Sequence, residues 1–452
     1  MTAPDAASPA TPARASWRES WAVYLQPRVL IVLFLGFSSG LPLALSGSTL
    51  LVWMREAGVD LGTIGLFALV GTPYTLKFLW APLVDALHVP LLTQALGRRR
   101  GWLVFAQLLL IGAILLLALA DPARSPWFVA VAALLVATTS ATQDIVVDAF
   151  RVESLPESEQ AAGMASYVAA YRIGMLISTA GALFIVSGFE GTGITRNAAW
   201  MWGYVAMAAL VLIGTITALL ATEPAQSARA EAAAQTETAL ARVWHAASGA
   251  FSEFLTRQDA IAALAFVVLF KFTDAFSGTM TAPFVIDLGF TRNDYAAIVK
   301  GVGLAATLIG GFAGGFVARR YPLATSLWIG GVVQALANLS FSWLAIVGTN
   351  QWALAVAICA ENFTSAIGTV IFVAYLSALC QNPLHTATQY ALLTALAAVG
   401  RTYLSSGAGY VAKATGWPLF FVICMLVAIP SLLLLAWLQK RKHFDTLGPV
   451  RV

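Results

Sequence analysis

Long apolar runs separated by short polar breaks dominate this chain. Twelve of the runs reach about 20 residues, the length of helix that crosses a hydrocarbon core about 30 Å thick. They lie near residues 29–54, 62–86, 101–121, 127–150, 161–187, 199–221, 260–283, 294–318, 323–346, 351–379, 388–411 and 418–438. Several exceed the minimum, so tilts or kinks are expected, and Pro42, Gly36 and Gly40 supply breakers in the first. The expected fold is an all-α integral membrane protein of twelve transmembrane helices.

Composition agrees. Of 452 residues, 59% are hydrophobic and 11% charged, whereas a soluble domain carries about 25% charged residues. The net charge of +4 calls for no nucleic-acid partner, because the basic residues serve orientation. With the N-terminus in the cytoplasm, 16 of the 26 Lys and Arg fall on the cytoplasmic side, 5 on the opposite side and 5 inside spans. Positive charge collects in cytoplasmic loops, so both chain ends are expected inside. The chain divides into a disordered tail (1–28), a six-helix half (29–221), a polar, Ala-rich linker (222–259), a second six-helix half (260–438) and a tail (439–452). Cys359, Cys380 and Cys424 lie in or beside apolar runs without paired spacing and read as small core residues.

A weak internal repeat supports the two halves. Gln160 precedes Arg172 by twelve residues in the fifth run, and Gln389 precedes Arg401 by twelve in the eleventh. Each arginine leads into a stretch rich in Gly and Ser, IGMLISTAG and TYLSSGAG. Parallel six-helix repeats resemble the organisation of major facilitator transporters. Asp85 ahead of Arg98, Arg99 and Arg100 is similar to the cytoplasmic gating motif of those proteins, with a longer gap.

Ionisable residues inside the apolar runs carry the functional information. Lys77, Arg172, Lys271, Lys300 and Arg401 are basic, and Asp144, Asp148, Asp274 and Glu361 are acidic. An unpaired charge at the bilayer centre costs about 2.5 to 3.5 kcal/mol, so these groups must face a wet cavity or one another. Lys271 and Asp274 are three apart and can neutralise each other on one helix face. The five bases outnumber the four acids, and a cavity with that excess suits an anionic substrate. Asp144, Glu361 and Asp274 are candidates for proton coupling, because a carboxyl that gains or loses a basic neighbour during a conformational change exchanges its proton. Asp148, one turn from Asp144, reads as a group at the cytoplasmic end that also belongs to the coupling set. Gln143, Asn338 and Asn362 are amides inside spans, and Tyr74, Trp80 and Tyr171 share spans with Lys77 or Arg172. Amides and aromatic faces are suited to sugar rings, which places these six with the five bases as candidate substrate contacts.

The ordered stretches LGFSSGLPLALSGSTL, LKFLWAPLVD, GRRRGW, SATQDIVVDAF, YRIGML, FKFTDAF, ICAENFTSAIGT and ATQYALLTALAAVGR span nearly the whole chain. Together they resemble the AmpG-type anhydromuropeptide permeases of Gram-negative bacteria. That resemblance implies a symporter of the inner membrane, driven by the proton motive force and using no cofactor. It would import N-acetylglucosaminyl-1,6-anhydromuramyl peptides from the periplasm for wall recycling and β-lactamase induction. Its partners would be that substrate and the lipid bilayer, with the chain a monomer. Thr273 in FKFTDAF stands where the family is expected to have glycine.

Other readings are a facilitator for a different anion, such as a coenzyme A ester, or a drug/proton antiporter. An enzyme is not expected. HExxH, GxSxG and phosphate-loop patterns are absent from the sequence, and His88, His245, His385 and His443 are scattered without ligand spacing.

Overall fold

The computed structural model describes residues 22–224, 255, 256, 258–380 and 386–447. Most of the expected N-terminal tail and of the 222–259 linker falls outside these residues. Helices account for the described elements. Ten are long and apolar enough to cross a membrane: α1 (Pro27–Glu56), α3 (Arg98–Ala118), α4 (Pro126–Ser154), α5 (Ala162–Gly191), α6 (Arg196–Leu220), α7 (Ala260–Asp287), α8 (Arg292–Arg320), α9 (Leu323–Val347), α10 (Gln351–Leu379) and α12 (Trp417–Lys440). Two composite units complete the order. Residues 61–86 (α2) are assembled from Leu61–Leu66, Phe67–Gly71, Thr72–Leu76, Lys77–Leu79 and Ala81–Ala86. Residues 386–415 (α11) are assembled from Thr386–Tyr403, Leu404–Gly407 and Ala408–Thr415.

Local chemistry sets several of the boundaries. Ser125 caps α4 by accepting from the Phe128 N–H at 3.3 Å, with Pro126 in the first turn, and Asn350 caps α10 by accepting from the Ala353 N–H at 3.0 Å. Both devices satisfy amide groups that a helix start leaves open. Three spans carry π-helical turns: Leu45–Thr49 in α1, Ile177–Gly181 in α5 and Tyr295–Val302 in α8. The break in α1 sits at Gly47, whose φ of −104° and ψ of −111° are not helical. Nearby side chains take up part of the loosened backbone. The Tyr204 hydroxyl donates to the Leu45 carbonyl at 3.2 Å, and the Thr49 hydroxyl donates to the Ser178 carbonyl at 2.7 Å.

Gly36 and Gly40, expected as breakers, serve packing instead. A Cβ at Gly40 would collide with the Tyr171 carbonyl, and one at Gly174 with the Phe37 carbonyl, so α1 and α5 touch backbone to backbone. The same device recurs between α8 and α10, where a Cβ at Gly310 would strike the Phe363 carbonyl. Close approach of this kind replaces the hydrophobic driving force that lipid removes between membrane helices.

The apolar cores show how the molecule is open. One large cluster joins both groups of helices, running from Trp53, Trp200 and Met207 to Phe284, Phe341 and Phe421. Trp53 stacks on Trp200 at 5.5 Å, and Phe284 meets Phe421 edge-on at 4.7 Å. Near the chain ends the cores are separate. Leu35, Val104, Val147 and Phe150 form one, and Phe266, Phe270, Tyr375 and Leu438 form another. The molecule is therefore closed on the face reached by residues 50–60 and 280–295, and its two helix groups part toward the face that carries Pro27 and Lys440.

Candidate functional site

Between the helix groups lies a cavity of about 600 Å³. All three π-helical turns contribute to its wall, through Ser46, Gly47 and Ser48 of α1, Thr179 of α5, and Tyr295, Val299 and Lys300 of α8. Irregular turns of this type aim polar backbone and side chains where a regular helix would present a uniform surface. The composite units also line it, α2 with Phe67, Gly71 and Tyr74, and α11 with Arg401 and Thr402. The buried hydroxyls of Thr75 and Thr402, 3.1 Å apart, link those units across the middle of the molecule.

The ionisable side chains of the wall are three bases, Arg172, Lys300 and Arg401, and one acid, Glu361. Lys300 rests over the ring of Tyr295 at 5.3 Å. Neither Arg172 nor Arg401 has a hydrogen bond or ion pair from its guanidinium group among the described residues, and both are exposed in the cavity. Such groups demand water or an anionic ligand.

Above the cavity, the closed face is tied by ion pairs that cross between the helix groups. Arg292 of α8 reaches Glu56 of α1 at 2.5 Å and Glu190 of α5 at 2.8 Å. Arg55 of α1 pairs with Asp287 of α7, which also accepts from the Trp417 indole at 3.1 Å. Arg292 is 7% exposed and lies over the ring of Trp200 at 5.6 Å. Sequence reasoning assigned no role to these residues, because the partners lie far apart in the chain.

The architecture has known counterparts. The Major Facilitator Superfamily profile matches residues 30–403. The chain belongs to that superfamily. An anhydromuropeptide permease of Escherichia coli strain K12 is 38% identical over 414 residues, covering 91% of this chain and 80% of the relative. "Putative transporter AmpG 4" of Rickettsia felis is 34% identical over 419 residues, covering 93% of this chain and 98% of the relative. Among solved structures, the nucleoside transporter NupG aligns with a TM-score of 0.69 at 13% identity, covering 91% of this chain and 99% of that one. The inward-open xylose transporter XylE of E. coli aligns with a TM-score of 0.61 at 12% identity, covering 89% and 94%. These two likenesses concern the fold alone.

In this membrane transporter the expected substrate contacts separate into two sets. Arg172, Arg401, Lys300, Tyr74 and Asn362 line the cavity, beside the coupling candidate Glu361. Asn362 is held by its own helix, donating to the Ile358 carbonyl at 3.0 Å, and accepts from the Thr307 hydroxyl at 3.2 Å. The others are engaged elsewhere. Lys271 pairs with Asp274 at 3.1 Å and donates to Thr369 at 2.9 Å, while Asp274 accepts from Ser365 at 2.7 Å. The three-residue spacing had already suggested that neutralisation. Lys77 pairs with Asp148 at 3.9 Å, and Asp148 also lies 3.8 Å from Arg151. Trp80 donates to Thr142, and Asn338 is buried against its own helix, donating to the Gln334 carbonyl at 3.2 Å. Tyr171 packs against Tyr167 with ring centres 6.0 Å apart.

Asp144 and Gln143 are buried between α4 and its neighbours. Gln143 donates to Ser39 at 3.3 Å, and one carboxylate oxygen of Asp144 has no partner. Thr273, where glycine was expected, is also buried with its hydroxyl unpartnered. Arg98 and Arg99 pair with Glu153 at 3.6 and 2.5 Å, and Glu223 accepts from the backbone N–H groups of Arg99 and Arg100. These contacts tie the start of α3 to the ends of α4 and α6 within one helix group. The side chain of Asp85 lies outside the described residues.

Proposed function

We propose that this chain is a proton-coupled importer of anhydromuropeptides in the inner membrane of a Gram-negative bacterium. The observation that carries the reading is the cavity itself, whose wall sets three bases against one acid and leaves two of the bases unpaired. Peptide stems bring carboxylates to such a wall, and their sugars suit Tyr74 and Asn362. The 38% identity to the E. coli permease over most of the chain supports the same substrate class.

The topology that goes with this function has twelve crossings, six in each half, and both chain ends in the cytoplasm, as the excess of basic residues on that side favours. In that orientation the closed face is periplasmic and the parted face cytoplasmic, so this is a state that releases substrate inward. The monomer suffices, because the cavity is built by one chain. Glu361 in the cavity wall and Asp144 buried behind it carry the proton, with the bases nearby favouring its release when the inside is reached. Asp274 is committed to Lys271 and has a lesser share.

Labelled anhydromuropeptide uptake into proteoliposomes, measured with and without an imposed proton gradient, tests this reading. Accumulation that requires the gradient is expected. Uptake indifferent to the gradient would remove the symport, and absence of uptake would remove the substrate. An excess of a coenzyme A ester that abolishes uptake would point to the broader anion facilitator.

A further inference from the structure

Arg172 and Arg401 stand apart from every other arginine discussed above. They occupy matching positions in the internal repeat, each twelve residues after a glutamine. They line the same cavity from different helix groups, α5 and α11. Other buried or in-span cations have partners in the fold: Glu56 and Glu190 for Arg292, Asp148 for Lys77, Asp274 for Lys271, and the Tyr295 ring for Lys300. Arg172 and Arg401 have no carboxylate partner among the described residues, and both side chains stay open to the cavity.

A guanidinium group is a planar fork that takes a carboxylate through two parallel hydrogen bonds. Two such forks, unpaired among the described residues and presented to one cavity from two helix groups, are matched by a ligand with two separate acidic groups. We propose that Arg172 and Arg401 form a two-point clamp that selects diacids, each arginine taking one carboxylate of the same ligand. The proposal rests on the reading of this cavity as an importer site for acidic peptides and adds the rule by which it chooses among them. A ligand with a single acid engages one arginine and leaves the other unpaired. A diacid bridges the two helix groups, so its binding is felt by both halves of the structure. Lys300 and Glu361, also in the cavity wall, are left for the remaining polar groups of the ligand.

The test compares N-acetylglucosaminyl-1,6-anhydromuramyl-alanyl-glutamate, which has two carboxylates, with the same compound carrying one of them as an amide. Binding to the detergent-purified full chain is read as thermal stabilisation, and transport as competition with labelled muropeptide in proteoliposomes. The wild-type protein should prefer the diacid by about tenfold or more, the size of one charge-assisted pair. In Arg172→Gln and in Arg401→Gln the diacid should fall to the level of the monoamide, so that the preference collapses toward one. Each variant thereby supplies one leg of a double-mutant comparison between protein and ligand charges. Arg172→Lys and Arg401→Lys, which keep the charge and lose the fork, should retain folding and show an intermediate preference. Equal binding of diacid and monoamide by the wild-type protein would overturn the clamp, as would an undiminished preference in both glutamine variants. Failure of either kind with uptake of labelled muropeptide intact removes the clamp alone. Loss of wild-type uptake, with the diacid preference still present in the binding assay, removes the import reading and leaves the clamp.

Discussion

Arg292 and Arg401 both sit on helices that meet across the middle of the molecule, yet their surroundings are opposite. Arg292 is 7% exposed and held by two carboxylates from the other helix group, with an indole ring beneath it. Arg401 is exposed in the cavity with no carboxylate partner among the described residues. Burying a charge is costly unless its partners are in place, and at Arg292 they are in place only while the face is shut. At Arg401 the partner is missing by construction. The closed face thus spends its acids on closure, and the cavity withholds them so that a ligand can bring its own.

The largest effect is expected from breaking the closed face. Arg292→Gln leaves the nearly buried Glu56 without its cation and Glu190 with Arg196 alone, and removing one member of a buried pair costs about 3 to 5 kcal/mol. The cost falls on the closed state, where those contacts exist. A Thr279→Cys reporter in the cavity wall should therefore react at least about tenfold faster with an impermeant maleimide added from the closed face. Glu56→Gln should have a smaller effect, because Glu190 remains on Arg292. Unchanged labelling in both would mean that the shared apolar core alone holds this face.

A second contrast concerns Asp144 and Asp148, one turn apart on α4. Asp144 is 7% exposed with a carboxylate oxygen lacking any partner, whereas Asp148 is half-exposed between Lys77 and Arg151. Removing an exposed pair costs little, so Asp148→Asn should lower gradient-driven accumulation by about twofold to threefold. Asp144→Asn should lower it by about tenfold or more, while leaving counterflow exchange of substrate without a gradient measurable. Wild-type accumulation by both variants would return the pair to a structural role.

Much of this contrast was legible in the sequence, and its limits follow the range of the interactions. Arg172 and Arg401 stood out because a twelve-residue spacing repeats along one chain, and the Lys271–Asp274 pair because three residues bring side chains together on one helix. Apolar length revealed the ten spans. It could not show that α2 is assembled from short pieces and that α11 is interrupted after Tyr403, because 3₁₀ and α turns bury similar residues. Gly36 and Gly40 looked like breakers, and only the proximity of α5 explains why they are packing surfaces while Gly47 carries the break. Lys77 looked like a substrate contact until α4 brought Asp148 to it. The pairs of Arg55 with Asp287 and of Arg292 with Glu56 join residues more than two hundred positions apart, and no local pattern announces them.

The smallest expected effect lies at the water-exposed rim of the same closed face, where Asp60 begins α2. One of its carboxylate oxygens accepts from the Gly62 and Thr63 N–H groups at 3.0 and 3.2 Å, and the other accepts from the Thr63 hydroxyl at 2.5 Å. Lys413 of α11 approaches within 3.7 Å, but both side chains are largely exposed and the pair contributes little. The Thr63 hydroxyl beside it holds the Asp60 carboxyl below the usual aspartate value. A group whose folded value is lowered stabilises the protein above its unfolded value, and that contribution fades as pH falls through the lowered one. Asp60→Ala should therefore cost about 1 kcal/mol of stability near neutral pH through the lost helix cap. Asp60→Asn keeps a capping oxygen and should stay within a few tenths of a kcal/mol of the wild type. On acidification below about pH 4, the melting temperature of the wild type should approach that of the asparagine variant. A gap between the two that widens with acid would show that Asp60 stabilises the rim through something other than its charge. Arg292, buried on the same closed face, should show its full effect at any pH where its two acids are ionised.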